Sequence, residues 1–471
     1  MSDQTTSAAG GAGQQEELKR SITGRLLFFY VLGDVLGSGI YALIGVMAFT
    51  VGGAFWLSFV IGVTVALLTG FAYAELITKY PQAAGAALYT HKAFGNRFLT
   101  FMVTFCLLAA TIAAAGTLAR VFGGTYFQSF VEGASVTLVA IVFIVALSLL
   151  NFRGITESVW TNMVMTLIET TGLLIILAIG VVVLAEGDAN LQQPFELNEG
   201  NPTLVVLGGV ALAFFAMTGF ENAANIAEET QDPSRTFPRA LLGGMTLAGI
   251  LYMVIAFIAS MVAPLDQLTA NKGEDGSLLT VVQNGPIPVP ELVFSAIALV
   301  AVTNTTLVSL VAQSRIMYGM ARQGIVPRIF ARTHATRRTP WVSIVFTAAL
   351  VCLLLAVADV DRLATVTVLF LIVVYGMVCL AALKLRGTPV EHEHYSAPIV
   401  ILVVGVVANV AILVHTMIDD PGSILWCGAI VAIGVVMYGV NALAMRHQPQ
   451  TPRPPPTCPA SLTRNDPPRR S

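Results

Sequence analysis

The sequence predicts an all-α membrane protein of 12 transmembrane helices. Three observations predict it: an apolar composition, a train of apolar runs each long enough to cross a bilayer, and basic residues confined to alternate connections. Of 471 residues, 56% are hydrophobic and 11% charged, against about 45–50% and about 25% in soluble domains. A soluble fold has no interior large enough to hide so much apolar surface.

The runs fall at 27–50, 54–78, 97–119, 134–152, 162–185, 203–227, 239–264, 291–318, 341–359, 363–385, 397–417 and 423–445. At 1.5 Å of rise per residue, about twenty residues cover the ~30 Å hydrocarbon core. Barrel strands need only ~9–11 residues and alternate in polarity, so the runs read as helices. Residues 1–25 are rich in Ser, Gly, Gln and Thr and lack the features of a cleaved secretory signal. The tail 446–471 carries Pro452, Pro454, Pro455, Pro456 and Pro459 among arginines. Neither tail can build a packed core, and both are expected to be disordered. The five cysteines have no ligand spacing and read as small apolar groups.

With twelve spans and the N-terminus inside, only Arg120, Lys272 and Arg362 of 25 basic residues fall on the outer side. This bias predicts a multi-pass protein of a cell's inner (plasma) membrane with both termini cytoplasmic. Two spans look broken in matching places, at Gly33-Asp34-Val35-Leu36-Gly37-Ser38-Gly39-Ile40 and at Ala216-Met217-Thr218-Gly219-Phe220-Glu221. They lie five spans apart. An odd offset sets two similar units in opposite orientations, so 26–186 and 203–386 are read as inverted five-helix repeats, with 397–445 adding two helices.

Glycine tolerates backbone shapes that other residues resist, so Gly37 and Gly39 can unwind the first span and bare N–H and C=O groups in the bilayer. Such N–H groups suit a carboxylate and such carbonyls an ammonium, a pairing that fits a zwitterionic amino acid. The same glycines can instead serve close helix packing. The matching break at Thr218-Gly219 favours the site.

The residues Gly37-Ser38-Gly39-Ile40, Phe214-Phe215-Ala216-Met217-Thr218-Gly219-Phe220-Glu221 and Ala227-Glu228-Glu229-Thr230-Gln231-Asp232-Pro233-Ser234-Arg235-Thr236-Phe237-Pro238-Arg239 resemble those of the amino acid-polyamine-organocation (APC) permeases. Tyr73-Ala74-Glu75-Leu76, Ser314-Arg315, Tyr318-Gly319-Met320-Ala321-Arg322 and Thr339-Pro340-Trp341 extend the resemblance over nearly the whole chain. It implies a LeuT-like fold, five plus five inverted helices with two appended, working by alternating access. By the same analogy Gly37, Ser38 and Gly39, continued by Ile40, meet the substrate carboxylate. Carbonyls near Leu36, Phe215 and Ala216 meet the amino group, Thr218 and Gly219 shape the side-chain pocket, and Phe215 serves as a gate.

Asp34, Glu169 and Glu221 lie inside apolar spans, where ionisable groups are costly and therefore functional suspects. Counted from the span ends, all three can share one depth. Proton-coupled relatives often hold lysine where this chain has Glu169. A carboxylate there can carry a proton or help to ligate sodium, for which Gly33 and Leu36 carbonyls and the Thr305 and Thr306 hydroxyls are further oxygen donors. Glu221 is expected to hold the start of the broken sixth helix. Glu228, Glu229, Arg235, Arg239, Arg315 and Arg322 are candidates for an ion-paired inner gate.

The expectation is a secondary active, proton-coupled symporter of amino acids or related amines. Its partners are substrate, proton or sodium, and the lipid bilayer. A sodium-coupled carrier, an exchanger, a non-transporting sensor or a channel are the alternatives. The sequence offers no phosphate-binding glycine loop, no metal or cofactor motif and no catalytic constellation. Its basic residues follow membrane orientation rather than forming a nucleic-acid surface.

Overall fold

A computed structural model describes residues 22–37, 39–82, 85–153, 159–270, 276–322, 326–335, 337, 339–419 and 421–446. Most of both expected tails therefore lies outside the described residues. A backbone group in lipid must find its partner within the protein, and a helix meets that demand locally. Helices accordingly carry nearly all of the described chain.

The first rod is α1 (Gly24–Leu36) and α2 (Gly39–Val51), interrupted between them. Next come α3 (Trp56–Lys79), α4 (Gly85–Phe94), α5 (Arg97–Gly123), α6 (Thr125–Gln128), α7 (Val136–Phe152) and α8 (Val159–Glu186). A second broken rod joins α9 (Pro202–Ala216) to a 3₁₀ segment, Phe220–Glu229. The remainder is α10 (Pro233–Val262), α11 (Leu265–Thr269), α12 (Ser277–Asn284), α13 (Glu291–Arg322), α14 (Trp341–Val357), α15 (Val360–Leu385), α16 (Ile399–Asp419) and α17 (Pro421–Arg446).

Several starts are written in the sequence. Thr23 accepts from the Leu26 N–H at 3.4 Å, Asn96 from Phe98 at 2.9 Å, and Asn201 from Thr203 at 3.0 Å. These short side chains cap donors that the first helical turn leaves unpaired. Pro202 and Pro233 occupy first turns, where their missing N–H costs nothing.

Among the described residues, nine helical stretches are long and apolar enough to cross a membrane. Three predicted spans correspond to shorter apolar stretches, Val136–Phe152, Trp341–Val357 and Ile424–Val440. At 17 residues, α7 and α14 sit at the lower edge of the ~17–25 needed to span. The sequence pattern also misses α4, which packs on α5, α15 and the 3₁₀ segment. Its residues are too mixed in polarity to register as a run.

The first broken rod is the buried centre, with 82% of its most apolar window enclosed, whereas α16 is enclosed over only 28% and forms the rim. Around the centre, α3, α8 and α10 pack against the two rods, and α5 packs against α13 and α15. On one face, here the near face, Lys79 donates to the Leu385 carbonyl at 2.6 Å. There too Ile22 N–H donates to Glu229 O at 3.0 Å and Gln231 N–H to Ile22 O at 2.9 Å, a parallel bridge between the entry to α1 and the end of the 3₁₀ segment. The chain after α15 is laid across the end of α3, with Tyr395 N–H donating to Thr78 and Ala397 N–H to the Glu75 carboxylate. On the far face, Trp56 donates to the Pro194 carbonyl at 2.8 Å and Gln193 to the Ser260 carbonyl at 2.7 Å.

Candidate functional site

A helix leaves its last carbonyls without intrahelical partners, and in lipid those carbonyls need others. At the end of α1, Gly37 N–H still donates to Gly33 O at 3.2 Å, and then the helix stops. Tyr252 reaches across from α10 and donates to the Val35 carbonyl at 2.5 Å. In the second rod, the Thr218 N–H and hydroxyl both donate to the Phe215 carbonyl, at 3.0 and 2.8 Å. Gly219 then takes φ +115°, a region that L side chains resist, and the chain re-forms as 3₁₀ helix. Glu221 receives the Gly219 N–H at 2.9 Å and the Tyr375 hydroxyl at 2.6 Å.

The two breaks lock into each other. A Cβ on Gly39 would stand 2.6 Å from Ala216 Cα, and one on Gly219 would stand 2.5 Å from the Asp34 carbonyl oxygen. Each glycine is thus the condition for the other rod's approach. Where the rods cross they bound a hollow of about 50 Å³, room for roughly four water-sized groups.

Its floor is Asp34, Gly37, Gly39, Phe215, Ala216, Thr218, Gly219 and Glu221. One helical face of α5 closes it with Ala110, Thr111 and Ala114, one of α13 with Thr305, Val308, Ser309 and Ala312, and one of α15 with Thr367 and Leu371. Among the described residues, two carboxylates line the hollow and no Lys or Arg does. The chemistry on offer is therefore small side chains, hydroxyls, peptide groups and negative charge, which suits a ligand carrying an ammonium group.

Of the residues expected at the substrate, Gly37, Gly39, Phe215, Ala216, Thr218 and Gly219 line the hollow, whereas Leu36 and Ile40 are fully buried in the surrounding core. Ser38 lies outside the described residues. Of those expected to couple an ion, Asp34, Glu221 and Thr305 line the hollow. Thr306 is turned back onto the Val302 carbonyl at 2.6 Å, and its face of α13 is directed elsewhere.

Glu169 is fully buried on α8, outside the hollow's lining but near enough for its charge to act on Asp34. Tyr41 donates to its backbone carbonyl at 2.7 Å, while neither carboxylate oxygen has a hydrogen-bond partner among the described residues. The neighbouring Thr166 hydroxyl is committed to the Asn162 carbonyl at 2.7 Å, and Asn304 reaches Asn162 at 3.4 Å. Gly33 allows α1 to sit directly on Thr166 and Asn162, so this polar cluster backs the first break.

Two of the arginines expected in an inner gate have other partners. Arg235 pairs at 4.0 Å with Glu393, both well exposed, and Arg322 lies over the Tyr318 ring at 5.9 Å. Among the described side chains no ion pair joins Glu229 to Arg239, Arg315 or Arg322, and the Glu228 side chain lies outside them. The residues that sequence reasoning missed are the tyrosines. Tyr252 and Tyr375 fasten the two breaks, and Tyr126 donates to the Tyr41 carbonyl at 3.1 Å just beyond the first. The available signal was a tyrosine inside an apolar span, whose hydroxyl must find a partner when buried.

A sequence model of the amino acid permease family matches residues 24–440. The branched-chain amino acid permease BcaP of Bacillus subtilis is 26% identical over 393 residues, covering 79% of this chain and 82% of that protein. The methylthioribose transporter of the same organism is 23% identical over 90% of this chain and 94% of its own length. Cationic amino acid transporter 5 of Arabidopsis thaliana is 26% identical over 89% of this chain and 74% of its own.

Proposed function

The chain belongs to the amino acid permease family of the APC superfamily, and on that premise we propose that it carries amino acids or closely related amines across a membrane by alternating access. The observation that carries this reading is the crossing of two broken rods around a hollow lined by peptide groups, small side chains, Asp34 and Glu221. A zwitterion presents a carboxylate to the Gly37–Gly39 backbone and an ammonium to the carbonyls around Phe215 and Ala216. Thr218, Gly219, Ala110 and Ser309 then meet its side chain, and Phe215 gates it.

Twelve crossings, arranged as two inverted five-helix units and two added helices, fit the two breaks and the nine long and three shorter apolar stretches among the described residues. Both termini lie in the cytoplasm on this reading, which makes the near face the inner one and follows the distribution of basic residues.

Glu169 is the coupling group in this mechanism. A buried carboxyl with no well-formed hydrogen bond among the described residues, within reach of the Asp34 charge and behind the first break, gains and loses its proton as the break opens and closes. A family reputation for amino acids does not bind every member, since a relative is named for methylthioribose.

The test is uptake of labelled branched-chain, small neutral and cationic amino acids into vesicles holding the purified chain, with proton and sodium gradients imposed in turn. Accumulation driven by the proton gradient is the expected result. Accumulation that needs sodium would move the coupling role from proton to sodium. Binding seen by thermal shift without uptake or exchange would overturn transport in favour of a sensor.

A further inference from the structure

A second cavity, about 290 Å³, lies between α5, α13, α14, α15 and α17 and takes no part in the site described above. Its wall on α17 is Trp426, Ile430, Ile433 and Met437, a stripe at helical spacing that runs about 16 Å along the helix at 1.5 Å per residue. The cavity is therefore a slot parallel to the helices, and its length matches about half of the ~30 Å hydrocarbon core, the depth of one leaflet. Phe105, Ile112 and Leu350 continue an apolar wall that gives a water-soluble solute no hydrogen-bond partners. Ile433 and Leu353, both lining residues, are 56% and 62% exposed, so the slot opens sideways where the bilayer lies.

Among the described residues one charged side chain lines it, Arg362. Arg362 stands in the first turn of α15, at the far-face end, is exposed, and makes no ion pair among the described residues. Asp359 precedes it by one turn at the start of the same helix. Trp426, with 43% of its surface exposed, shares the mouth, and indole favours the membrane interface. A guanidinium presents a fork that matches phosphate oxygens.

We propose that this slot binds one bilayer phospholipid, with an acyl chain along α17 and its phosphate on Arg362. Any ammonium in the headgroup falls toward Asp359. The lipid would brace α5 and α15 from outside, since Ile112 and Leu363 face the slot while Thr111 and Thr367 of the same helices face the inner hollow.

The test is native mass spectrometry of the purified full chain titrated with palmitoyl-oleoyl phosphatidylethanolamine, alongside thermal shift with the same lipid. The expected result is one tightly retained lipid per chain, with R362Q weakening retention about tenfold, as loss of one charge-assisted contact predicts. A113F, which fills the slot, removes the bound lipid and the lipid-dependent stabilisation. Arg362 is exposed, so R362Q is readable even if A113F fails to fold. Retention that is unchanged in R362Q overturns the proposal. So does a stable dimer of wild-type chains that excludes lipid and is lost in R362Q.

Discussion

The two hollows share walls from α5, α13 and α15 but differ in almost everything else. The inner one is about 50 Å³ and is floored by interrupted backbone and two carboxylates; the outer one is about 290 Å³ and is walled by side chains of unbroken helices. Size alone would nominate the larger as the binding site for a solute. Polarity reverses that choice, because a zwitterion leaving water needs partners for both of its charges, and only exposed peptide groups and ionisable side chains supply them inside a bilayer. The contrast teaches that in a membrane protein the informative cavity is the one that costs backbone hydrogen bonds to build.

The largest way to break this contrast is Gly219→Ala. The added Cβ meets the Asp34 carbonyl at 2.5 Å, and φ +115° is itself strained for any L residue. Such strain costs about 1–3 kcal/mol before the clash is counted, so uptake in vesicles should fall about a hundredfold or more, while lipid retention in the outer slot is unchanged. Loss of both together would mean that the chain has misfolded and that the two hollows are not separable.

Next in size is Glu169→Gln. Uptake driven by a proton gradient should slow about a hundredfold, the lower end of what a positioned proton-transferring group contributes, whereas exchange of labelled for unlabelled substrate is nearly retained. An equal loss in both assays would assign Glu169 to architecture. Tyr252→Phe removes the donor to the Val35 carbonyl. Hydrogen bonds between membrane helices are worth roughly 0.6–2 kcal/mol, and a thermal melt of the purified chain should register a loss in that range. The smallest effect on uptake is expected from Arg362→Gln, an exposed residue outside the lining of the inner hollow, which should change uptake by about twofold or less, on the scale of a surface substitution.

The helices were legible because water and lipid sort residues so strongly that an apolar run of bilayer length admits little besides a spanning helix. The breaks were legible for a local reason, since glycines at 37, 39 and 219 mark where the backbone can leave the helix. Counting from span ends gave Asp34, Glu169 and Glu221 a common depth, but depth carries no azimuth. The rotation of α8 about its own axis turns Glu169 into the cluster of Thr166 and Asn162 and away from the hollow's lining.

Likewise Thr305 and Thr306 are adjacent in sequence but lie about 100° apart on a helix, so one lines the hollow and the other does not. The tyrosine clasps and the walls from α5, α13 and α15 depend on which helices become neighbours. Sequence periodicity within a single helix does not report that. The residue runs of α4 and the near-face ties of the chain after α15 were invisible for the same reason.

The short parallel bridge between Ile22 and Thr230 has a consequence for how this protein tolerates change. The bonds of the staple are written in main-chain atoms, but both of its side chains are buried, Ile22 in the apolar core. Proline at 22 deletes the N–H that Glu229 receives, and a charged side chain there would be buried without a partner. A library of substitutions at that position should therefore keep the apolar residues and lose proline and the charged ones.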